Sequence, residues 1–285
     1  MSRSTATVSD LLRAAAARLN EAGCESPKLD ARLLFCFAAG WSRTDLAVAS
    51  REPIDQETSS RFAALILRRC LRTPVAYLTG RREFWSLEFN VGPGVLVPRP
   101  ESERLVELAL NQVSDPAVEI RVLDMATGTG CLLAALLSEL PAATGIGTDV
   151  SQPALAYART NIDRLGLAGR AHLVCCPWAE ALAQRFDLIL CNPPYIRRGV
   201  FANLSPEVTD HEPALALDGG EDGLEAYRQL LPEISGHLTP AGAAIVEIGC
   251  DQGGAVAALA RHAGFAAEIH PDLAGLDRAL VLRHA

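Results

Sequence analysis

Arg121-Val122-Leu123-Asp124-Met125 runs directly into Ala126-Thr127-Gly128-Thr129-Gly130, and from there into Cys131-Leu132-Leu133-Ala134-Ala135-Leu136-Leu137. A short apolar run that ends in a glycine turn predicts a buried strand, and the longer apolar segment behind the turn predicts a helix. Glycines in such a turn let the backbone approach a ligand closely, with the N-terminus of the helix facing it. A Gly-x-Gly turn alone fits several nucleotide folds. The dinucleotide fingerprint asks for a third glycine three residues on, where Leu133 stands. NAD is therefore disfavoured, and a nucleoside without a pyrophosphate fits better.

Working outward, the strand–helix alternation continues. Strands are predicted at 121–125, 144–148, 172–175, 186–191, 243–248 and 279–282, and helices at 131–140, 153–165, 224–236 and 254–263. That alternation implies a mostly parallel sheet with helices on both faces, and the last strands suit an antiparallel edge. Upstream the pattern changes. Segments 8–19, 29–37, 45–49 and 59–71 carry helical stripes such as Val8, Leu11, Leu12, Ala15, Ala16 and Leu19, separated by Gly, Ser and Pro. Between the two halves, Phe84 to Val91 alternates with period two, followed by Gly92-Pro93-Gly94 and Val95-Leu96-Val97, which predicts a hairpin turning at the glycines. The expected organisation is a helical bundle at 1–82, a β-hairpin linker at 83–100 and a Rossmann-like α/β domain at 101–285.

Candidate site residues sit at the predicted strand ends, where open α/β sheets bind ligands. Asp149, closing the second strand, is placed to accept hydrogen bonds from both hydroxyls of a ribose; its alternative is an N-cap for the following helix, a task open to Ser151 as well. Asp124, ending the first strand, either faces a ligand ammonium or stabilises its own turn. Trp178 follows the third strand and either lies against a purine or fills the core. The fourth strand ends in Asn192-Pro193-Pro194-Tyr195. The prolines fix this loop and remove its N–H groups, so it presents acceptors. The Asn192 side-chain oxygen and the Pro193 carbonyl suit the two N–H groups of a planar –NH2, with Tyr195 packing against its plane. A proline turn capped by Asn is the alternative.

The chain has 285 residues, 49% apolar and 21% charged, with net charge −8. The apolar share supports a real core, and a strongly basic nucleic-acid-binding character is absent. None of the eight cysteines forms a C-x-x-C pair, which points to buried thiols in a reducing cytoplasm, and the scattered histidines give no metal-ligand spacing. The opening MSRSTATVSD has no apolar leader and no run reaches 18 apolar residues, so secretion and membrane spanning are not expected.

Several further stretches carry a resemblance. Arg72-Thr73-Pro74-Val75-Ala76-Tyr77-Leu78-Thr79-Gly80, Val97-Pro98-Arg99-Pro100-Glu101-Ser102-Glu103, Asn192 to Tyr195, Glu212-Pro213-Ala214-Leu215-Ala216-Leu217 with Gly223-Leu224, and Glu247-Ile248-Gly249 follow one another in order. Together they resemble the peptide chain release factor glutamine methyltransferase family over nearly the whole chain. The resemblance implies a class I methyltransferase using S-adenosyl-L-methionine, contacted by Ala126, Thr127, Gly128, Thr129, Gly130, Asp149, Trp178 and Asn192. It implies a substrate glutamine held by Asn192, Pro193, Pro194 and Tyr195, in the Gly-Gly-Gln motif of class I release factors. Departures from the family pattern are Ala126 for the first glycine of the turn, tolerable at negative φ, Ser102 for threonine, and Pro177 for an acidic residue before Trp178. Rival readings are a ribosomal-protein glutamine methyltransferase, a DNA adenine-N6 methyltransferase that must flip its base, and a binding protein without chemistry.

Overall fold

The computed structural model describes residues 7–49 and 53–285; residues 1–6, part of the stretch read for a leader, and 50–52 lie outside it. The chain forms two compact units. One runs to Arg81 and includes Ser205–His211; the other comprises Arg82–Leu204 and Glu212–Ala285.

The first unit contains α1 (Val8–Glu21), α2 (Pro27–Ala39), α3 (Arg43–Val48), α4 (Gln56–Cys70) and α5 (Val75–Thr79). Local chemistry sets their ends. Thr7 and Asp10 form a capping box on α1, Ser42 and Asp45 form another on α3, and Asp55 caps α4. Gly40, left-handed at φ 68, closes α2. Phe35 sits at the centre, edge-on to Phe62 at 5.3 Å and to Trp41 at 5.7 Å.

A charged cluster is buried beside this core. Arg69 donates to Asp30 at 2.8 Å and pairs with Glu207 at 2.7 Å, and Arg72 meets the same Glu207 carboxylate at 2.8 and 2.5 Å. Glu207 lies on the short helix of Ser205–His211, so the cluster ties that distant segment into the helical unit. Burial pushes the Glu207 carboxyl up, but Arg72 and Arg69 outweigh it and hold the group at about 2.

The second unit opens, from Arg82 on, within the hairpin formed by β1 (Arg81–Phe84) and β2 (Leu87–Asn90). Its turn is Trp85-Ser86, both at positive φ (53° and 57°), not Gly92-Pro93-Gly94. A two-residue turn with both residues left-handed matches strand twist, which outweighs the usual cost at non-glycine residues. Acidic side chains pin it. Trp85 N–H donates to Glu103 and its indole N–H to Glu139, each at 2.8 Å. Residues 95–97 form no strand.

There follow α6 (Glu103–Leu110), β3 (Arg121–Met125), α7 (Cys131–Glu139), β4 (Thr144–Asp149), α8 (Gln152–Arg164), β5 (Ala171–Cys175), β6 (Phe186–Cys191), α9 (Pro206–Thr209, counted with the first unit), α10 (Glu225–His237), β7 (Leu238–Glu247), α11 (Gly253–His262), β8 (Phe265–Pro271) and β9 (Asp277–His284). The sheet order is β5-β4-β3-β6-β7-β9-β8. β3 to β7 are parallel, while β9 runs antiparallel to both neighbours. This is the expected Rossmann-like α/β sheet with an antiparallel edge. Alternate strand residues feed two apolar layers: Val122, Leu188 and Ile245 on one face, Leu123, Ile189 and Val246 on the other. Four cysteines are buried, but Cys175 and Cys250 are exposed, contrary to a wholly buried set.

Winding proceeds from β3 outward to β5 on one side and from β6 to β7 on the other. The strand order therefore reverses between β3 and β6, whose last residues, Met125 and Cys191, are register partners. Ligand crevices form at such a switch point. The turn at 126–130 and the loop at 192–195 both leave the sheet there.

Candidate active site

Above the switch point lies a cavity of about 340 Å³, lined wholly by the second unit. The turn at 126–130 forms one wall. Ala126, Gly128 and Gly130 are all left-handed, at φ 55°, 56° and 78°. Ala126 is thus not at the negative φ that would make its substitution for glycine cheap; an L-residue there costs roughly 1–2 kcal/mol. Gly130 has a second constraint, since a Cβ would lie 3.3 Å from that of Ala158 in α8.

Asp149 lines the cavity at the end of β4. Its Oδ2 accepts the Gly128 N–H at 2.9 Å and its Oδ1 the Ser151 N–H at 2.8 Å. The helix cap is Ser151, whose hydroxyl accepts from Ala154 N–H, so capping does not account for Asp149. Burial raises the Asp149 carboxyl against these backbone donors. The carboxylate keeps lone pairs for further donors.

Asp124 is placed differently. It is fully buried behind the turn, outside the cavity lining, and its Oδ2 accepts the Thr127 hydroxyl at 2.5 Å and the Leu133 N–H at 3.3 Å. The turn-stabilising alternative is therefore on view, and direct contact with the cavity is not. Its Oδ1 has no hydrogen-bond partner among the described residues. Burial, helped by the Asp149 charge, pushes this carboxyl up to about 7.

Trp178 lines the cavity beside Cys176 and Pro177. Its carbonyl accepts the Thr148 hydroxyl at 2.5 Å, and its indole N–H donates to Gln229 of α10 at 3.2 Å. It is a cavity residue held at both ends.

From the loop after β6, Asn192 and Pro194 line the cavity, whereas Pro193 and Tyr195 do not. Asn192 Nδ2 donates to Ser102 Oγ at 3.1 Å, and Ser102 donates to Glu247 Oε2 at 2.5 Å. Tyr195 donates its hydroxyl to the other oxygen, Glu247 Oε1, at 3.1 Å. Burial pushes the Glu247 carboxyl up, opposed by the Ser102 hydrogen bond, the Arg278 charge and Tyr195. Burial and the Glu247 charge raise the Tyr195 phenol far enough to keep it protonated. The loop backbone is fixed too: Gln252 Nε2 donates to the carbonyls of Tyr195 and Gly223, both at 3.0 Å. On the rim, Arg99 pairs with buried Glu212 at 2.7 Å.

Ser102, Glu247, Gln252 and Gln229 were not among the predicted site residues. Signals existed for two of them: Ser102 and Glu247 both lie in stretches that carry the resemblance, and Glu247 also interrupts the apolar run of β7, where a carboxylate is costly unless a partner awaits it.

The family model described as the PrmC N-terminal domain matches residues 10–80, and the methyltransferase small domain matches residues 104–210. The release factor glutamine methyltransferase of Cereibacter sphaeroides is 44% identical over 275 residues, covering 96% of this chain and 97% of its own. The chain belongs to that family. The enzyme of the same name from Bradyrhizobium diazoefficiens is 43% identical, covering 95% of this chain and 93% of its own. In three dimensions, a methyltransferase from Pyrococcus furiosus shares the fold with a TM-score of 0.52 at 19% identity, over 78% of this chain and 98% of that one. Membership in the release factor glutamine methyltransferase family sets the chemistry to which the cavity, its glycine turn and its Asn-Pro-Pro-Tyr loop are to be related.

Proposed function

We propose that this chain methylates the side-chain amide nitrogen of the glutamine in the Gly-Gly-Gln motif of class I peptide chain release factors, using S-adenosyl-L-methionine, in the cytoplasm. One observation carries the reading. A glycine turn backed by Asp149 and an acceptor loop opening with Asn192 emerge from adjacent strands, β3 and β6, into one cavity.

The residues present fit S-adenosyl-L-methionine. The left-handed turn offers backbone, Asp149 offers an acceptor at a strand end, and the buried Oδ1 of Asp124 leaves one unpartnered oxygen behind the turn. When bound, the cofactor supplies a methyl group on a positively charged sulfur. Asp149 would accept the ribose hydroxyls, residues 126–130 would present backbone to the nucleoside, and Trp178 would pack against the adenine. From the loop after β6, Asn192 Oδ1, on the cavity lining, accepts one N–H of the glutamine amide, the Pro193 carbonyl just behind that lining accepts the other, and Tyr195 supports the loop that packs its plane. An amide nitrogen is a poor nucleophile, and neither His nor Lys stands in the loop to act as a base. Orientation and acceptor placement therefore carry the rate, in the way that a held near-attack geometry does. The helical unit at 1–82 serves as a docking surface for the protein substrate.

The test is transfer of labelled methyl to purified release factor, with duplex DNA in parallel. Mass spectrometry is expected to find one methyl on the motif glutamine and none once that glutamine is replaced. Labelling that survives the replacement, or labelling of the DNA, overturns the reading.

A further inference from the structure

Both polar side chains of the loop, Asn192 and Tyr195, end on one carboxylate. Glu247 is 1% exposed and closes β7, the strand beside β6. Tyr195 reaches it directly and Asn192 reaches it through Ser102. No arginine or lysine forms an ion pair with Glu247 among the described residues; Arg278, whose charge it feels, is paired with Asp272.

Counting protons fixes the polarity of this chain of bonds. A serine hydroxyl has one proton and two lone pairs. With Glu247 ionised, the form that the Ser102 and Tyr195 hydroxyls and the Arg278 charge favour against burial, Ser102 at 2.5 Å from Oε2 spends that proton on the carboxylate. It can then only accept, so the Asn192 atom 3.1 Å from it is the –NH2 group. Asn192 Oδ1 is thereby turned the other way. An inverted amide would set an –NH2 against the –NH2 of the substrate, donor against donor, and the acceptor on which the reaction depends would be lost.

We propose that Glu247, acting through Ser102, is a positioning group that fixes the Asn192 amide with its oxygen as the atom offered to the substrate nitrogen, while it anchors Tyr195 by its hydroxyl. The inference rests on the reading above, in which Asn192 holds the glutamine amide. A buried carboxylate suits this task better than a neutral amide. Glutamine at the same place can donate to Ser102, which frees the serine proton for Asn192 and permits the inverted state.

The test uses the full-length chain with release factor as substrate. Ser102→Ala is expected to lower kcat roughly 10- to 100-fold, the scale of a small loss of alignment. Its cofactor affinity by calorimetry and its thermal midpoint stay close to those of the parent. Ser102→Thr, which keeps the hydroxyl, restores most of the lost turnover. Glu247→Gln lowers kcat at least as far as Ser102→Ala. Asn192→Ala runs beside them as the reference. If Ser102→Ala keeps its kcat within about twofold while Asn192→Ala is inactive, the positioning role is overturned and the site reading stands. If Ser102→Thr is as impaired as Ser102→Ala, the position matters for packing and the proton argument is wrong. If Asn192→Ala is itself fully active, the site reading falls and takes this inference with it.

Discussion

Replacing Glu207 by glutamine removes the charge that two arginines share. Arg69 and Glu207 have side chains only 7% and 16% exposed, and Arg72 is 18% exposed. Breaking a buried ion pair by neutralising one partner costs about 3–5 kcal/mol, because the other charge remains buried. Two features reduce that here. Arg69 keeps Asp30 at 2.8 Å, and glutamine still accepts one guanidinium hydrogen bond, so about 2–3 kcal/mol is expected. A chain of two units need not melt in one step, so local opening is the better readout. The amides of Val208, Thr209 and Asp210 donate to Ser205 and Pro206 carbonyls. Their hydrogen exchange in Glu207→Gln should accelerate by roughly 30- to 150-fold, at tenfold per 1.4 kcal/mol. The sign of the pH effect follows from the depressed carboxyl. Its stabilisation is complete above the ordinary range near 4.5 and is lost as pH falls through about 2. Exchange at these three amides that matches the parent would show that the cluster does not hold the segment.

Asp149→Ala should weaken S-adenosyl-L-methionine by about 1–3 kcal/mol, the range for charged hydrogen bonds; unchanged affinity in calorimetry on a folded variant removes Asp149 from the site. Ala126→Gly relieves the left-handed strain of roughly 1–2 kcal/mol and returns ~0.4–1 kcal/mol to the unfolded chain, leaving a small net gain in thermal stability. A clear loss would contradict the strain. Asp124 has a carboxyl raised to about 7 by burial, so the ligand-free protein should lose stability as pH climbs from 3.8 through that value. Asp124→Asn should flatten this slope, and an unchanged slope in pH-dependent melting would assign it to another group.

Much of the sheet was legible because its strands are apolar runs cut off by charge, glycine or proline. β3 and β6 begin and end where their composition changes, and the residues after them are the ones that meet at the switch point. β8 escaped notice because Phe265-Ala266-Ala267-Glu268-Ile269-His270 is a partly exposed edge strand whose polarity reads as loop. The hairpin turn was misplaced since Trp85-Ser86 lacks the Asn-Gly or Gly signature, and its support comes from Glu103 and Glu139, far off in sequence. α5 is too short for any periodicity to register. In the site, Asp149 and Asn192 stand at strand ends, where position alone recommends them. Ser102 and Glu247 stand in stretches that carry the resemblance, but the side-chain bonds by which they and Gln252 act on those residues span long stretches of chain, and no local pattern encodes those bonds.

The chain leaves the second unit at Leu204 and re-enters it at Glu212, and the seven residues between belong to the helical unit. No single cut can therefore separate the two. A truncation beginning near Phe84 would discard Arg69 and Arg72 but keep Glu207, leaving its helix without the cations that hold it. Poor activity in such a fragment would mix the loss of the helical unit with damage to a loop that returns to the cavity rim at Glu212 and Pro213. A clean dissection has to be made at two places, removing the N-terminal helices and replacing Ser205–His211 by a short neutral bridge.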